Sequence, residues 1–295
     1  MRVFVTGATG FIGSAVVPEL IRAGHRVVGL ARSDDGVAAL EAAGAETHCG
    51  SLDDPEGLAR AAAQADGVIH LATKHSGTDA HAAGAADLRA IEAMGAALAG
   101  SGRPFVVTSG TLIAAAGRLV TEEDGPAPGT HRTASEEAAV ALAADGVRSS
   151  LVRLAPSVHG RGDQGFVPRL IAIAREKGVA ACVGDGANCW PGLHRYDAAR
   201  LFRLALERAP AGSRLHGTDE EGVPLRAIAE VIGRHLDVPV TGIPPERAHE
   251  HFGFLGRWVA VDNPTSSALT RKLLGWEPRE PGLLADLDEG HCFQV

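Results

Sequence analysis

The chain has 295 residues, with 36 acidic and 28 basic side chains and a formal net charge of −8. That length suits one large domain or two modest ones, and the negative balance argues against a nucleic-acid partner. Hydrophobic residues make up 45% and charged residues 22%, which describes a globular rather than a disordered chain.

Met1 to Val5 runs straight into a glycine motif, so no signal peptide is expected. No apolar run approaches the roughly 20 residues that span a bilayer. A soluble, cytoplasmic protein without a membrane partner is the expectation. Cys49, Cys182, Cys189 and Cys292 are scattered and form no CxxC pair, so neither a zinc site nor a disulfide framework is indicated. Only Lys74, Lys177 and Lys272 are lysines among the basic residues, and with the abundant alanine and glycine this suggests a GC-rich coding sequence.

In chain order, short apolar runs at 3–6, 27–31, 68–72, 105–108 and 151–154 predict strands. Alanine-rich stretches at 12–23, 55–63, 80–99 and 134–144 predict helices between them. Continuous apolar strands alternating with helices imply a parallel sheet covered on both faces, hence an α/β, Rossmann-type doubly wound fold. Beyond residue 158 the pattern loosens into glycine-rich loops at 160–165 and 184–192. Helices are predicted at 197–207 and 225–235, and strands at 181–183 and 215–218. We therefore expect a dinucleotide-binding domain over 1–158 and a smaller substrate lobe over 159–295, with late elements returning to the sheet.

The strongest motif is Thr6-Gly7-Ala8-Thr9-Gly10-Phe11-Ile12-Gly13, between the first predicted strand and an amphipathic helix. In that setting Gly7 permits the tight turn, Gly10 admits a pyrophosphate to the backbone, and Gly13 allows close helix packing. The helix N-terminus then offers free N–H groups to phosphate. At the end of the second strand no acid appears before Asp34. Arg32 can instead pair with a 2′-phosphate and Ser33 can donate to it, which favours NADP(H) over NAD.

With these residues the chain resembles the short-chain dehydrogenase/reductase superfamily, in its extended or atypical epimerase/dehydratase-like branch. TGxxGxxG is that branch's spacing. His70-Leu71-Ala72 and Val106-Val107-Thr108-Ser109 resemble its fourth- and fifth-strand motifs. The run Arg153 to Gly160 resembles the strand that meets the nicotinamide. Gly184-Asp185-Gly186, His194-Arg195-Tyr196-Asp197 and Leu274-Gly275-Trp276 resemble C-terminal markers. The resemblance implies that Gly7, Thr9, Gly10, Phe11 and Ile12 line the pyrophosphate, and that Arg32 and Ser33 meet the adenosine phosphate. It further implies Ser51 and Leu52 at adenine, Leu71, Ala72 and Thr73 beside the nicotinamide ribose, and Pro156, Ser157 and Val158 at the carboxamide.

The chain departs from the superfamily's catalytic Tyr-x-x-x-Lys. Its single tyrosine, Tyr196, is followed four residues later by Arg200 and falls in the C-terminal half. Where the resemblance expects the dyad, near 129–136, stand His131, Arg132 and Ser135 instead. Ser109 and Thr111 can donate hydrogen bonds to a developing alkoxide but are poor proton sources. His75, His131 and His159 titrate near neutrality and are candidate acids, as are water and a substrate phenol. Lys74, His159, Gln164, Phe166, Asn188 and Trp190 are expected on the substrate side, Trp190 by stacking, and no metal is called for. Some tyrosine-lacking members of this branch reduce polycyclic ketones. The resemblance therefore points to an NADPH-dependent ketoreductase acting on an aromatic polyketide-type product, as in antibiotic biosynthesis. The alternatives are a non-catalytic NADP-binding regulator and, more weakly, a sugar-nucleotide epimerase or dehydratase. The sequence leaves the oligomeric state open.

Overall fold

The computed structural model describes residues 1–73, 79–114, 117–130 and 132–294. The first half alternates strand and helix: β1 (Arg2–Thr6), α1 (Gly13–Arg22), β2 (Arg26–Ala31), α2 (Asp34–Ala42), β3 (Glu46–Cys49), α3 (Pro55–Ala63), β4 (Gly67–His70), α4 (Ala80–Leu98), β5 (Pro104–Gly110), α5 (Thr133–Ala141) and β6 (Arg148–Leu154). The second half continues with β7 (Ser157–His159), α6 (Phe166–Lys177), β8 (Ala180–Val183), β9 (Cys189–His194), α7 (Arg195–Arg208), β10 (Ser213–Gly217), β11 (Glu220–Pro224), α8 (Leu225–Leu236) and β12 (Val240–Ile243). Four short helices close the chain: α9 (Ala248–Phe252), α10 (Gly256–Val259), α11 (Ala268–Leu274) and α12 (Leu283–Asp288).

The main sheet has seven strands in the order β10-β6-β5-β4-β1-β2-β3, and each pairing within it is parallel. This is the Rossmann-type α/β fold, and the order reverses between β1 and β4. Strand alternation sends Val3 and Val5 to one face, where Leu20 of α1 and Phe202 of α7 cover them. Phe4 faces the other way, into a core with Leu58 of α3 and Met94 of α4. A third core, around Trp190, Ile228 and Phe252, holds together the two small sheets β11-β9-β7 and β12-β8 and their helices.

The helix starts follow local chemistry. Asp54 accepts from Gly57 N at 2.9 Å, with Pro55 in the first turn, and so starts α3. The strand pattern missed β3, because an edge strand with the sequence Glu-Thr-His-Cys shows no apolar run. It also missed α2, of which only Leu40 is buried. The strand predicted at 215–218 is β10, which pairs with β6 in the main sheet rather than with the small ones.

One buried ion pair ties the carboxyl side of this sheet together. Arg153 on β6 and Glu136 on α5 are both buried, with Nη2 2.6 Å from Oε2. Arg153 Nη1 also donates to the carbonyl of Asp124 at 2.7 Å. No described helix is long and apolar enough to cross a membrane.

Candidate active site

In a doubly wound sheet the ligand crevice lies outside the strand carboxyl ends, where the strand order reverses. Here that places it at the ends of β1 and β4. Gly7, at φ +67°, follows β1 there, and a Cβ on it would sit 2.8 Å from Ala72 N. A Cβ on Gly13 would lie 2.0 Å from the Gly7 carbonyl oxygen, so helix and loop touch through bare backbone. Gly10 N donates to Gly7 O at 3.0 Å and closes the turn.

The N-terminus of α1 has no side-chain cap and no acid in its first turn. Ser14 N and Ala15 N donate to the carbonyls of Gly10 and Ile12, at 2.9 Å each, which leaves the helix dipole and the turn before them for an anion. The residues fit a dinucleotide pyrophosphate: a backbone cradle that side chains would fill, at an uncapped helix start.

Around the cradle, Thr9 and Gly10 are exposed and Phe11 and Ile12 half-buried. Arg32 is exposed at the end of β2. Ser33 caps α2, its Oγ accepting from Gly36 N at 3.3 Å. Ser51 Oγ accepts from Asp53 N at 3.1 Å, and Leu52 is buried among the residues under the sheet. Leu71, Ala72 and Thr73 are half-buried just past β4, against the cradle. Pro156 and Val158 are half-buried, while Ser157 is buried with no partner for its hydroxyl among the described residues.

Beneath the end of β4 runs a buried polar chain that sequence reading did not assemble. Thr6 Oγ1 is hydrogen-bonded to His70 Nδ1 at 2.7 Å and accepts from Ala72 N at 3.2 Å. His70 Nε2 lies 3.3 Å from Asp87 Oδ1, and Arg132 Nη2 lies 3.4 Å from Asp87 Oδ2. The same Nη2 donates to the Thr108 carbonyl at 2.9 Å, so Arg132 reaches from the start of α5 to the end of β5. Burial alone would raise the Asp87 carboxyl, but hydrogen bonding from His70 and the Arg132 charge more than offset it and hold the carboxyl below its usual range. Asp87 lies within an alanine-rich helix, and the sequence carried no signal that it faced His70.

Of the predicted catalytic candidates, Ser109, Thr111 and His159 fall within the described residues. Ser109 ends up buried near the carboxyl end of β5, with no hydrogen-bond partner for its Oγ among the described residues. Thr111 is fully buried and donates to Asn263 Oδ1 at 2.7 Å, so its hydroxyl is committed to a structural contact rather than held free. His75 and His131, with Lys74, lie outside the described residues. His159 is buried, with Nδ1 2.9 Å from Asp286 Oδ2 and Nε2 without a partner among the described residues.

On the expected substrate side, Gln164 is exposed and Phe166 half-buried at the start of α6. Asn188 spends its amide on the carbonyls of Val259 and Val261, at 2.8 and 3.2 Å. Trp190 has 0% exposure and packs on Phe166 with ring centroids 5.3 Å apart. It therefore offers no ring face to a ligand in this arrangement, and the stacking expectation gives way to a core role. Tyr196 is 47% exposed on α7, its ring 5.2 Å from that of His194. Arg200 is turned to Asp197 and Glu280.

The model of the NAD dependent epimerase/dehydratase family matches residues 3–216 of this chain, which belongs to that family. An uncharacterized protein of Schizosaccharomyces pombe is 50% identical over 295 residues, covering 99% of this chain and 100% of the relative. A 4-hydroxy-2-methyl-3-oxo-4-farnesyl-3,4-dihydroquinoline-1-oxide ketoreductase of Stigmatella aurantiaca is 29% identical over 267 residues, with 86% and 80% coverage. Other relatives at about that distance are also named as reductases. In fold, the chain is similar to a dTDP-glucose 4,6-dehydratase of Streptomyces venezuelae solved with NAD, at TM-score 0.77 and 19% identity, covering 99% and 96% of the two chains. Family and relatives together place the chain among NAD(P)-dependent oxidoreductases of the extended short-chain dehydrogenase/reductase type.

Proposed function

We propose that the protein is an NADPH-dependent ketoreductase whose substrate is a ketone of an aromatic, polyketide-type product. The observation that carries the reading is the cradle of Gly7, Gly10 and Gly13 at the uncapped start of α1, which only an anion-bearing ligand uses well. When bound there, the cofactor supplies a hydride. Arg32, exposed beside the cap of α2, supports the choice of NADPH, because its guanidinium is free to turn toward a 2′-phosphate. The reductase names among the relatives support a ketone, and the quinoline ketoreductase supports an aromatic frame.

The chain's own residues would act as follows. Strand β5 lies two strands from β1, about 10 Å at ordinary strand spacing, on the side toward which a dinucleotide extends past the cradle. Ser109 at its end has a hydroxyl with no hydrogen-bond partner among the described residues, available to donate to a carbonyl oxygen. A serine is too weak an acid to supply the proton, so water, a histidine or the substrate's own phenol delivers it.

The test follows NADPH consumption by absorbance against aryl ketones with and without a neighbouring phenol, with nicotinamide fluorescence reporting binding. Turnover confined to phenol-bearing ketones is the expected result. Bound NADPH with no turnover on any ketone would overturn the ketoreductase reading and favour the non-catalytic regulator.

A further inference from the structure

Arg195, the first residue of α7, makes contacts that no part of the reaction requires. Its guanidinium lies over the ring of Phe11 at 4.5 Å, and Nη2 donates to Ser14 Oγ at 2.7 Å. Ser14 in turn donates to the Phe11 carbonyl at 3.2 Å. These are residues of the glycine cradle and of the first turn of α1. From the same guanidinium, Nη1 donates to the Arg161 carbonyl at 2.9 Å, in the 160–165 loop that follows β7.

That loop is shaped to take the side chain. Gly160 has φ +127°, and a Cβ there would lie 3.1 Å from Arg195 Cγ and 2.9 Å from His194 Nε2. The exposed Tyr196 ring lies 5.5 Å from the same guanidinium. Among the described residues no carboxylate lies within ion-pair distance of Arg195. Of the carboxylates, only Asp163 of the same loop acts on its charge, through space, and Arg195 sits by the uncapped, acid-free start of α1.

We infer that Arg195 is a positioning residue: a strap between the cofactor cradle and the 160–165 loop, through which filling the cradle fixes the substrate-side loop. The physical reason is that an anion at the start of α1 puts negative charge on the turn Arg195 grips. That strengthens the grip, and Nη1 transmits it to the Arg161 carbonyl. Ordering one loop then reduces the cost of ordering the other. The inference rests on the cofactor reading above, and its test is arranged so that the two can fail separately.

Amide hydrogen exchange of the apo protein is compared for wild type, Arg195→Met and Arg195→Lys. Arg195→Met is expected to speed exchange at 9–14 and at 160–165 together, by roughly tenfold. A change at neither segment, or at one alone, overturns the strap whether or not any cofactor binds. With saturating NADPH, wild type should gain protection at 160–165. Arg195→Lys, which keeps the charge but cannot span both partners, should bind NADPH yet lose that protection.

In titrations, Arg195→Met should weaken NADPH by about tenfold while leaving adenosine 2′-phosphate, which lacks the pyrophosphate, within about twofold. Equal losses for both ligands overturn the inference. Should Arg195→Met fail to fold, Ser14→Ala removes one end of the strap and is expected to shift the same readouts in the same direction. A wild type that binds no dinucleotide removes the cofactor reading and leaves the apo exchange to judge the strap.

Discussion

The two ends of the crevice are built by different means. At the β1–α1 end a run of eight residues, Thr6 to Gly13, makes its own contacts: the turn closes on Gly7, and Gly13 meets Gly7 backbone to backbone. Around the ends of β4, β5 and β7, by contrast, several polar groups depend on a distant partner. Thr111 needs Asn263, Arg132 needs Asp87, and His159 needs Asp286. A site made of local backbone is specified by glycine spacing, whereas a site made of side-chain pairs is specified by how remote segments fold against each other. The first keeps its backbone turn when a remote side chain is lost, with Arg195 as its one described side-chain tie to the far half, whereas the second loses its arrangement with either member of a pair.

The sharpest test of the non-local end is Arg153→Met. It strands Glu136 as a buried charge between α5 and β6 and should cost about 3–5 kcal/mol in urea unfolding, because one member of a buried pair is removed. A loss below 1 kcal/mol would show that the region does not depend on this pair.

At the local end, Gly13→Ala should push α1 off the Gly7 carbonyl. The expected overpacking cost of about 1–3 kcal/mol would appear as roughly ten- to hundredfold weaker NADPH binding, with little change in the far lobe. Fluorescence titration checks it, and unchanged affinity would mean that the cradle is not the cofactor seat.

A smaller and pH-dependent effect comes from Asp286. Burial raises its carboxyl, but the hydrogen bonds to His159 and His291 outweigh that and bring it down to about 2. A depressed carboxyl stabilises the fold above its unfolded pKa near 4 and loses that contribution as pH falls toward 2. The contribution is on the order of 2 kcal/mol. Asp286→Asn should therefore be less stable at neutral pH, yet lose less stability than wild type between pH 4 and 2; equal acid sensitivity would count against the pairing.

Smaller again, Arg32→Ala should weaken NADPH by about tenfold and NADH hardly at all, as expected for one lost charged hydrogen bond. Equal losses would remove the 2′-phosphate assignment. The smallest expected effect is that of Tyr196→Phe, with turnover within about twofold of wild type, since its exposed ring flanks Arg195 and His194 on α7. A hundredfold fall would make it the missing proton donor.

By itself the sequence determined the doubly wound sheet, the strand–cradle–helix unit and the absence of a Tyr-x-x-x-Lys. Each depends on neighbours in the chain: alternation along a strand, caps such as Asp54, and glycine at fixed offsets. Polar edge elements such as β3 left no such trace. Only the tertiary structure decided that Thr111 is tied to Asn263, that Trp190 is enclosed in the core, and that His70, Asp87 and Arg132 form one chain. It also decided that Arg195 bridges the first turn of α1 and the 160–165 loop, which are far apart in sequence. These facts concern where a side chain's hydrogen-bonding capacity is spent, and that depends on which remote backbone the fold brings within about 3 Å.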